Sequence, residues 1–277
     1  MIISMPDVWD KAKPKHKAYV AKVITDAQAP GAPTPLTSPF LISLLKSDGE
    51  NLAIGDPTKL EAVIYKVEAW SKTVTPADSA IFMKEAKRVF DYHNFSAKSE
   101  KSWNAYELCK TATHRLCPYC QQAYAFTFVA WGKNKKGNKV KRGFRPTLDH
   151  FFPKSKFPYV GLSLYNLVPA CQTCNSSLKA RKDFYVERHL HPLRDQESLR
   201  FDLDPKSYLN YRRDSSANLE WNVAGVIPAL TKESAASIET FLLNDRFYED
   251  CSVKQRHSRW HLKVTSDRSA HAVRLQS

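Results

Sequence analysis

Two Cys-x-x-Cys pairs constrain this chain of 277 residues more than any other feature. They are Cys117-Pro118-Tyr119-Cys120 and Cys171-Gln172-Thr173-Cys174. Two residues between thiolates let both sulfurs reach one tetrahedral ion at about 2.3 Å. A single pair could serve redox chemistry instead. Two pairs supply four sulfurs, which close a structural zinc site with no open position. The 50 residues between Cys120 and Cys171 exceed what a compact zinc ribbon holds. The metal is therefore expected to staple a small domain inserted between the knuckles. Disulfides are the alternative, and they belong to exported proteins. The N-terminus turns polar at Asp7 and has no signal-peptide core. Cys109 and Cys251 have no spaced partners and read as ordinary buried thiols.

Charge singles out the same region. The formal net charge is +14. Residues 1–100 hold 13 Lys/Arg and 12 Asp/Glu, residues 101–190 hold 16 and 4, and residues 191–277 hold 13 and 12. The excess belongs to the middle third, around the knuckles. A net excess this concentrated fits the sequence-independent part of nucleic-acid binding. An acidic protein or a lipid surface is the competing polyanion. Hydrophobic residues make up 43% and aromatics 12%, enough for a real core, so disorder throughout is excluded. No apolar stretch approaches the roughly 20 residues of a membrane span. The composition points to a cytoplasmic protein with no membrane contact.

Between the knuckles, Gln121 to Trp131 is rich in aromatic and β-branched residues and reads as a strand. Gly132 to Asn138 reads as a basic turn, and Lys139 to Phe144 as the returning strand. Then comes Leu148-Asp149-His150-Phe151-Phe152-Pro153-Lys154-Ser155. After a loop containing Pro158 and Gly161 follows Tyr165-Asn166-Leu167-Val168-Pro169-Ala170-Cys171. The second knuckle runs into Asn175-Ser176-Ser177-Leu178-Lys179, expected to open a helix.

These segments, in this order, resemble the HNH endonuclease family over about residues 114–183. The resemblance implies a ββα-metal core within an α+β protein, stapled by a zinc site of four cysteines. It implies metal-dependent hydrolysis of DNA phosphodiesters, leaving 5′-phosphate and 3′-hydroxyl ends. His150 resembles the general base that activates water. Asp149 resembles the acidic neighbour that binds the catalytic ion, Mg²⁺ or Mn²⁺. Asn166 resembles the central Asn that braces the loop and orients the base. Asn175 stands where many members have His, and its amide oxygen is the implied second ligand.

The residues carry that chemistry on their own terms. A neutral imidazole serves as base near pH 7. A carboxylate and an amide oxygen suit a hard ion that neutralises developing charge. Neighbouring strand residues point to opposite faces, so Asp149 and His150 converge on one phosphate only if the strand ends or distorts there. Pro153 is consistent with a strand end. Lys154, Lys156, Lys179, Arg181 and Lys182 are candidate phosphate contacts. His114 is a spare ligand beside four thiolates that already fill the zinc. His189 and His191 have ligand-like spacing, but no carboxylate completes a metal set, so both are expected to be structural.

The flanks are expected to be mainly helical, giving three regions: 1–100, 101–190 and 191–277. Thr58 to Glu61 forms a capping-box pattern, and Leu60, Val63, Ile64 and Val67 a helical stripe. Thr75-Pro76-Ala77-Asp78 starts another helix whose face carries Phe82, Ala86, Val89, Phe90 and His93. Ala29 to Pro35 reads as a linker or an extended loop. Past residue 190, Phe201 to Leu203 and Leu219 to Val223 alternate as a short hairpin would. Ile238, Phe241 and Leu242 begin an amphipathic helix, and Arg256, Arg259 and Lys263 recur at helical spacing on a solvated face. The near-neutral flanks are candidates for contact with the core or with a partner protein. HNH proteins of this build resemble effectors of prokaryotic anti-phage systems of the Septu and retron-linked types, where an ATPase or other subunit controls the nuclease. The alternative is a zinc-stapled nucleic-acid-binding module without catalysis.

Overall fold

The computed structural model describes residues 4–97, 102–133, 135, 139–196, 199–203, 205–214, 217, 221–225 and 231–246. It divides into two compact units, one spanning residues 2–197 and the other residues 198–277. No helix among the described residues is long and apolar enough to cross a membrane.

The larger unit opens with helices α1 (Lys13–Gln28), α2 (Pro39–Ile54), α3 (Pro57–Ser71), α4 (Pro76–Val89), α5 (Tyr92–Ser96) and α6 (Ala105–Thr111). Three of them share one start signal. Ser38, Asp56 and Thr75 each precede a proline, and each side chain accepts a hydrogen bond from a first-turn backbone N–H. Proline at the first helical position has no donor to waste, and the cap satisfies one that remains. Asp56 thus caps α3 where the sequence pattern put the box at Thr58. The stripe Leu60, Val63, Ile64 and Val67 is buried. On α4, Phe82, Ala86 and Val89 are buried, and the helix stops there. Phe90 is buried at the C-cap, but His93 lies exposed in α5, off the face expected for it.

After the first knuckle, β1 (Phe128–Lys133) pairs antiparallel with β2 (Lys139–Phe144). Residues 121–127 do not join β1. Gln121 takes φ 54°, Cys117 donates to the Ala123 carbonyl and Ala125 to the Arg115 carbonyl. The knuckle turn has used those backbone groups. Gly143 in β2 sits at φ 154°, and a Cβ there would meet the Phe128 carbonyl oxygen at 2.0 Å. Only glycine fits at this point of the ribbon.

Strand β3 (Thr147–His150) pairs antiparallel with β4 (Leu167–Ala170), setting Asp149 opposite Val168 and His150 opposite Leu167. The second knuckle then winds into a π-helical turn, Thr173–Lys179. It starts earlier than the helix expected from Asn175, and ends where Ala180 adopts φ 46°.

The N-terminal segment clasps this hairpin and its loop. The Trp9 indole N–H donates to the Leu167 carbonyl at 2.9 Å, and the Ser163 hydroxyl to the Leu52 carbonyl at 2.6 Å. Phe82 of α4 packs against Tyr159, with ring centroids 5.7 Å apart. His16 of α1 is fully buried between two such contacts. Its Nε2–H donates to the Leu162 carbonyl at 2.7 Å, and its Nδ1 accepts from the Trp103 indole at 3.2 Å.

In the smaller unit, β5 (Leu199–Leu203) pairs antiparallel with β6 (Trp221–Gly225). Helix α7 (Pro205–Arg213) lies between them in sequence, so the pair is not the short hairpin expected. Helix α8 (Lys232–Thr240) includes Ile238, but Phe241 and Leu242 form the turn after it, with Leu242 at φ 50°. Leu219, Cys251, Arg256, Arg259 and Lys263 lie outside the described residues.

Burial drives the His16 pKa down to about 4, against the raising effect of its bond to Leu162. The unfolded ring titrates near 6.5. Below that value the unfolded chain binds the extra proton, so stability falls as pH drops from 7 toward 4. His16 alone is expected to remove about 2 kcal/mol between pH 7 and 5. Urea denaturation against pH should show this slope, and His16→Gln should flatten it.

Candidate active site

The four knuckle cysteines come together from two pairs separated by 50 residues of chain. All four are buried, and their sulfurs lie within 4.8 Å of one another. Cys120 Sγ and Cys171 Sγ are 4.0 Å apart, far beyond a disulfide bond. A tetrahedron of sulfurs around zinc has edges of about 3.8 Å, so the quartet fits such an ion. Burial also pushes the Cys117 thiol up. Four buried sulfurs cannot all ionise together without a cation. A bound metal resolves that conflict by holding them as thiolates. After purification with zinc, wild type is expected to carry one zinc per chain by elemental analysis, and Cys174→Ser to carry less and to unfold several degrees lower.

The second polar centre lies behind β3. Asp149 is buried, and the Tyr119 hydroxyl donates to its Oδ2 at 2.6 Å. The Lys179 ammonium donates to Oδ1 at 2.7 Å and to Oδ2 at 2.9 Å. Lys179 also donates to the backbone carbonyls of His150 and Phe151. Its Nζ sits 4.6 Å from the Phe184 ring centroid. Burial pulls the Lys179 pKa down, and the Asp149 carboxylate opposes this. The sequence pattern places Lys179 on a phosphate. It is instead a buried structural cation that ties the turn after the second knuckle to β3 and to the tyrosine inside the first knuckle.

His150 points the other way, as the period of a strand requires. It lines a cleft of about 540 Å³ together with Tyr92, Arg145, Thr147, Lys154, Asn175, Ser176 and Arg181. Its Nε2–H donates to the Gly161 carbonyl at 2.9 Å, since a carbonyl can only accept. That fixes the tautomer and leaves the Nδ1 lone pair for the cleft. The Tyr92 ring packs edge-on against the imidazole, with centroids 4.4 Å apart. Burial, reinforced by the Lys154 charge, lowers the His150 pKa to about 3. The ring is therefore neutral at physiological pH.

Asn166 is fully buried. Its Oδ1 accepts from the Phe152 N–H at 2.7 Å, and its Nδ2 donates to the carbonyls of Phe152 and Val160. The amide thus clamps both ends of the loop that follows His150, and this loop leads to the Gly161 carbonyl. Asn175 lines the cleft from the π-helical turn. Among the described residues, the cleft wall carries three cations and no carboxylate. Asp149 is not among its lining residues, and its two oxygens are engaged by Tyr119 and Lys179. A divalent ion held by Asp149 and Asn175 would have to displace the Lys179 ammonium from the carboxylate.

Of the remaining basic candidates, Lys154 and Arg181 line the cleft. Lys156 is paired with Asp183 at 3.0 Å, outside the cleft. Lys182 is exposed next to Arg181. His191 is buried, stacks on Phe151 at 3.9 Å between centroids and accepts from the Leu193 N–H. His189 stacks on Phe184 at 3.7 Å. His114 is bonded to Thr113. Sequence reasoning missed Tyr92, Arg145 and Tyr119. Arg145 carried a usable signal, as a cation two residues before β3. Tyr92 carried none, because it reaches the cleft from the helical flank.

No family model matches the chain. No solved structure matches it either. Among curated proteins, it is similar to the SPbeta prophage-derived YoqL of Bacillus subtilis (strain 168), whose name describes a candidate HNH endonuclease. The two are 27% identical over 157 residues, covering 52% of this chain and 67% of that protein.

Removing one member of a buried ion pair strands the other charge, at a cost of roughly 3–5 kcal/mol. Lys179→Met should destabilise the protein by that amount in chemical denaturation. The double variant Lys179→Met with Asp149→Asn should recover much of the loss.

Proposed function

We propose that the chain is an HNH-type endonuclease that hydrolyses DNA phosphodiester bonds in the cleft at His150. One observation carries the reading: a neutral histidine, its tautomer fixed by Gly161, presents a free Nδ1 to a cleft walled by Arg145, Lys154 and Arg181. In this reading β3, β4 and the turn Thr173–Lys179 form the ββα-metal core, and zinc fills the four-cysteine site. The likeness to YoqL supports a nuclease at the level of the family.

The chemistry follows from the groups in the cleft. Nδ1 of His150 takes a proton from water as the water oxygen attacks phosphorus. The bond to the leaving oxygen breaks, and that oxygen is protonated from solvent. The three cations stabilise the charge that builds on the phosphate oxygens. Tyr92 packs against the imidazole, and Asn166 holds the loop that leads to its Gly161 partner. No step is assigned to Asp149, whose oxygens are bonded to Tyr119 and Lys179.

The test is nicking of supercoiled plasmid with Mg²⁺, with Mn²⁺ and with chelator. Wild type is expected to nick, and His150→Ala to be slower by roughly 10²–10⁴-fold. Because the imidazole is neutral far below pH 7, its protonation should not limit the rate between pH 6 and 9. Binding without cleavage under every condition, with His150→Ala indistinguishable, would establish the non-catalytic nucleic-acid-binding module instead. The tie between Asp149 and Lys179 is the observation that favours that second reading. Control by a partner such as an ATPase, and a part in anti-phage defence, rest on family resemblance. Copurification from the native host tests both.

A further inference from the structure

One row of aromatic rings includes Phe144, the residue before the cleft-lining Arg145, and the hydrolytic chemistry does not use it. Tyr124, Phe126, Phe144 and Phe128 form a continuous ladder. Tyr124 meets Phe126 edge-on at 5.5 Å, Phe126 meets Phe144 at 5.3 Å, and Phe144 stacks with Phe128 at 5.9 Å. Phe128 and Phe144 are register partners across β1 and β2, so their rings share one face of the ribbon. These rings are not core. Tyr124 is 72% exposed, Phe144 53% and Phe128 50%. Exposed aromatic surface that is contiguous in this way marks an interaction site.

Charge identifies the occupant. From Gln121 to Pro146 the sequence has seven Lys/Arg and no Asp/Glu. An apolar protein partner would gain nothing from so many cations, whereas a nucleic-acid strand supplies both the phosphates and the flat faces. Position adds direction. The residue after Phe144 is Arg145, which lines the His150 cleft. A strand lying on the ladder is therefore led to the cleft.

We propose that this ladder is a stacking platform for unpaired nucleobases, so that the protein engages single-stranded segments such as flaps, gaps or loops. Duplex bases are already stacked on one another and cannot lie on the rings. Stacking is tolerant of sequence because every base has a π-face. The proposal deepens the nuclease reading and rests on it only for the fate of the bound strand.

The test is fluorescence anisotropy at one fixed salt concentration, with the zinc-loaded full chain. The probes are a thymine oligonucleotide, an abasic strand of equal length and a duplex. The abasic strand keeps the phosphates and lacks the bases. Wild type is expected to bind the base-bearing strand roughly a hundredfold more tightly than the abasic strand. Each aromatic lost should weaken base-bearing binding roughly tenfold. Tyr124→Ala with Phe144→Ala should therefore bring it close to the abasic affinity, leaving the abasic affinity unchanged. Tyr124→Leu with Phe144→Leu keeps apolar bulk without the π-face, guards against misfolding, and should lose the preference equally. Equal binding of base-bearing and abasic strands by wild type would overturn the proposal. So would full retention of the preference in the leucine pair, which would return the ladder to a protein contact. Failure of the nuclease reading looks different: normal strand preference with no cut plasmid.

Discussion

The structure turns on one buried charge pair. Asp149 and Lys179, with Tyr119, bring three distant segments to one point. Tyr119 lies between the cysteines of the first knuckle, Lys179 ends the turn that follows the second, and Asp149 sits on β3. Taking two charges out of water costs several kcal/mol per ion before their attraction is counted. A pair held this deep is poor evidence for stability alone. Its geometry has a different use. Lys179 also grips the carbonyls of His150 and Phe151, so the sulfur quartet and the strand bearing His150 share one polar network.

That network sets what faces the cleft. With Asp149 pulled behind the strand, the period of two turns His150 to the front. Gly161 then fixes its proton on Nε2, and Asn166 holds the loop that carries Gly161. The helical flank contributes Tyr92 on one side, and the basic ribbon leads into Arg145 on another. The result is a neutral base in a cationic cleft, an arrangement suited to an anionic ester. Asp149 is engaged by Tyr119 and Lys179, so an ion taking it as ligand would have to displace the Lys179 ammonium.

The parts legible in the sequence were those set by local chemistry. The Cys-x-x-Cys spacing announced the quartet, and the Thr75-Pro76 start announced α4. The apolar stripe of α3 was plain from its period. What failed to show was set by long-range contact. Residues 121–127 have strand composition, yet the knuckle turn takes their backbone bonds. Lys179 looked like any solvated lysine, since nothing local reports a carboxylate 30 residues away. The sequence-level condition on β3, that Asp149 and His150 diverge unless the strand distorts, described the geometry correctly. It also undercut the shared role given to the two residues. Tyr92 could not be assigned from local pattern, because its partner is reached only through the fold.

The claim at the centre of this account is that the His150 Nδ1 acts as the base for attack on a phosphodiester. Chemical rescue addresses it most directly. In single-turnover cleavage of an end-labelled oligonucleotide, His150→Gly is expected to be inactive and to regain cutting as imidazole is added. The restored rate should follow the concentration of the neutral imidazole form. A folded His150→Gly that cuts as wild type does, or one that imidazole fails to restore, would contradict the account.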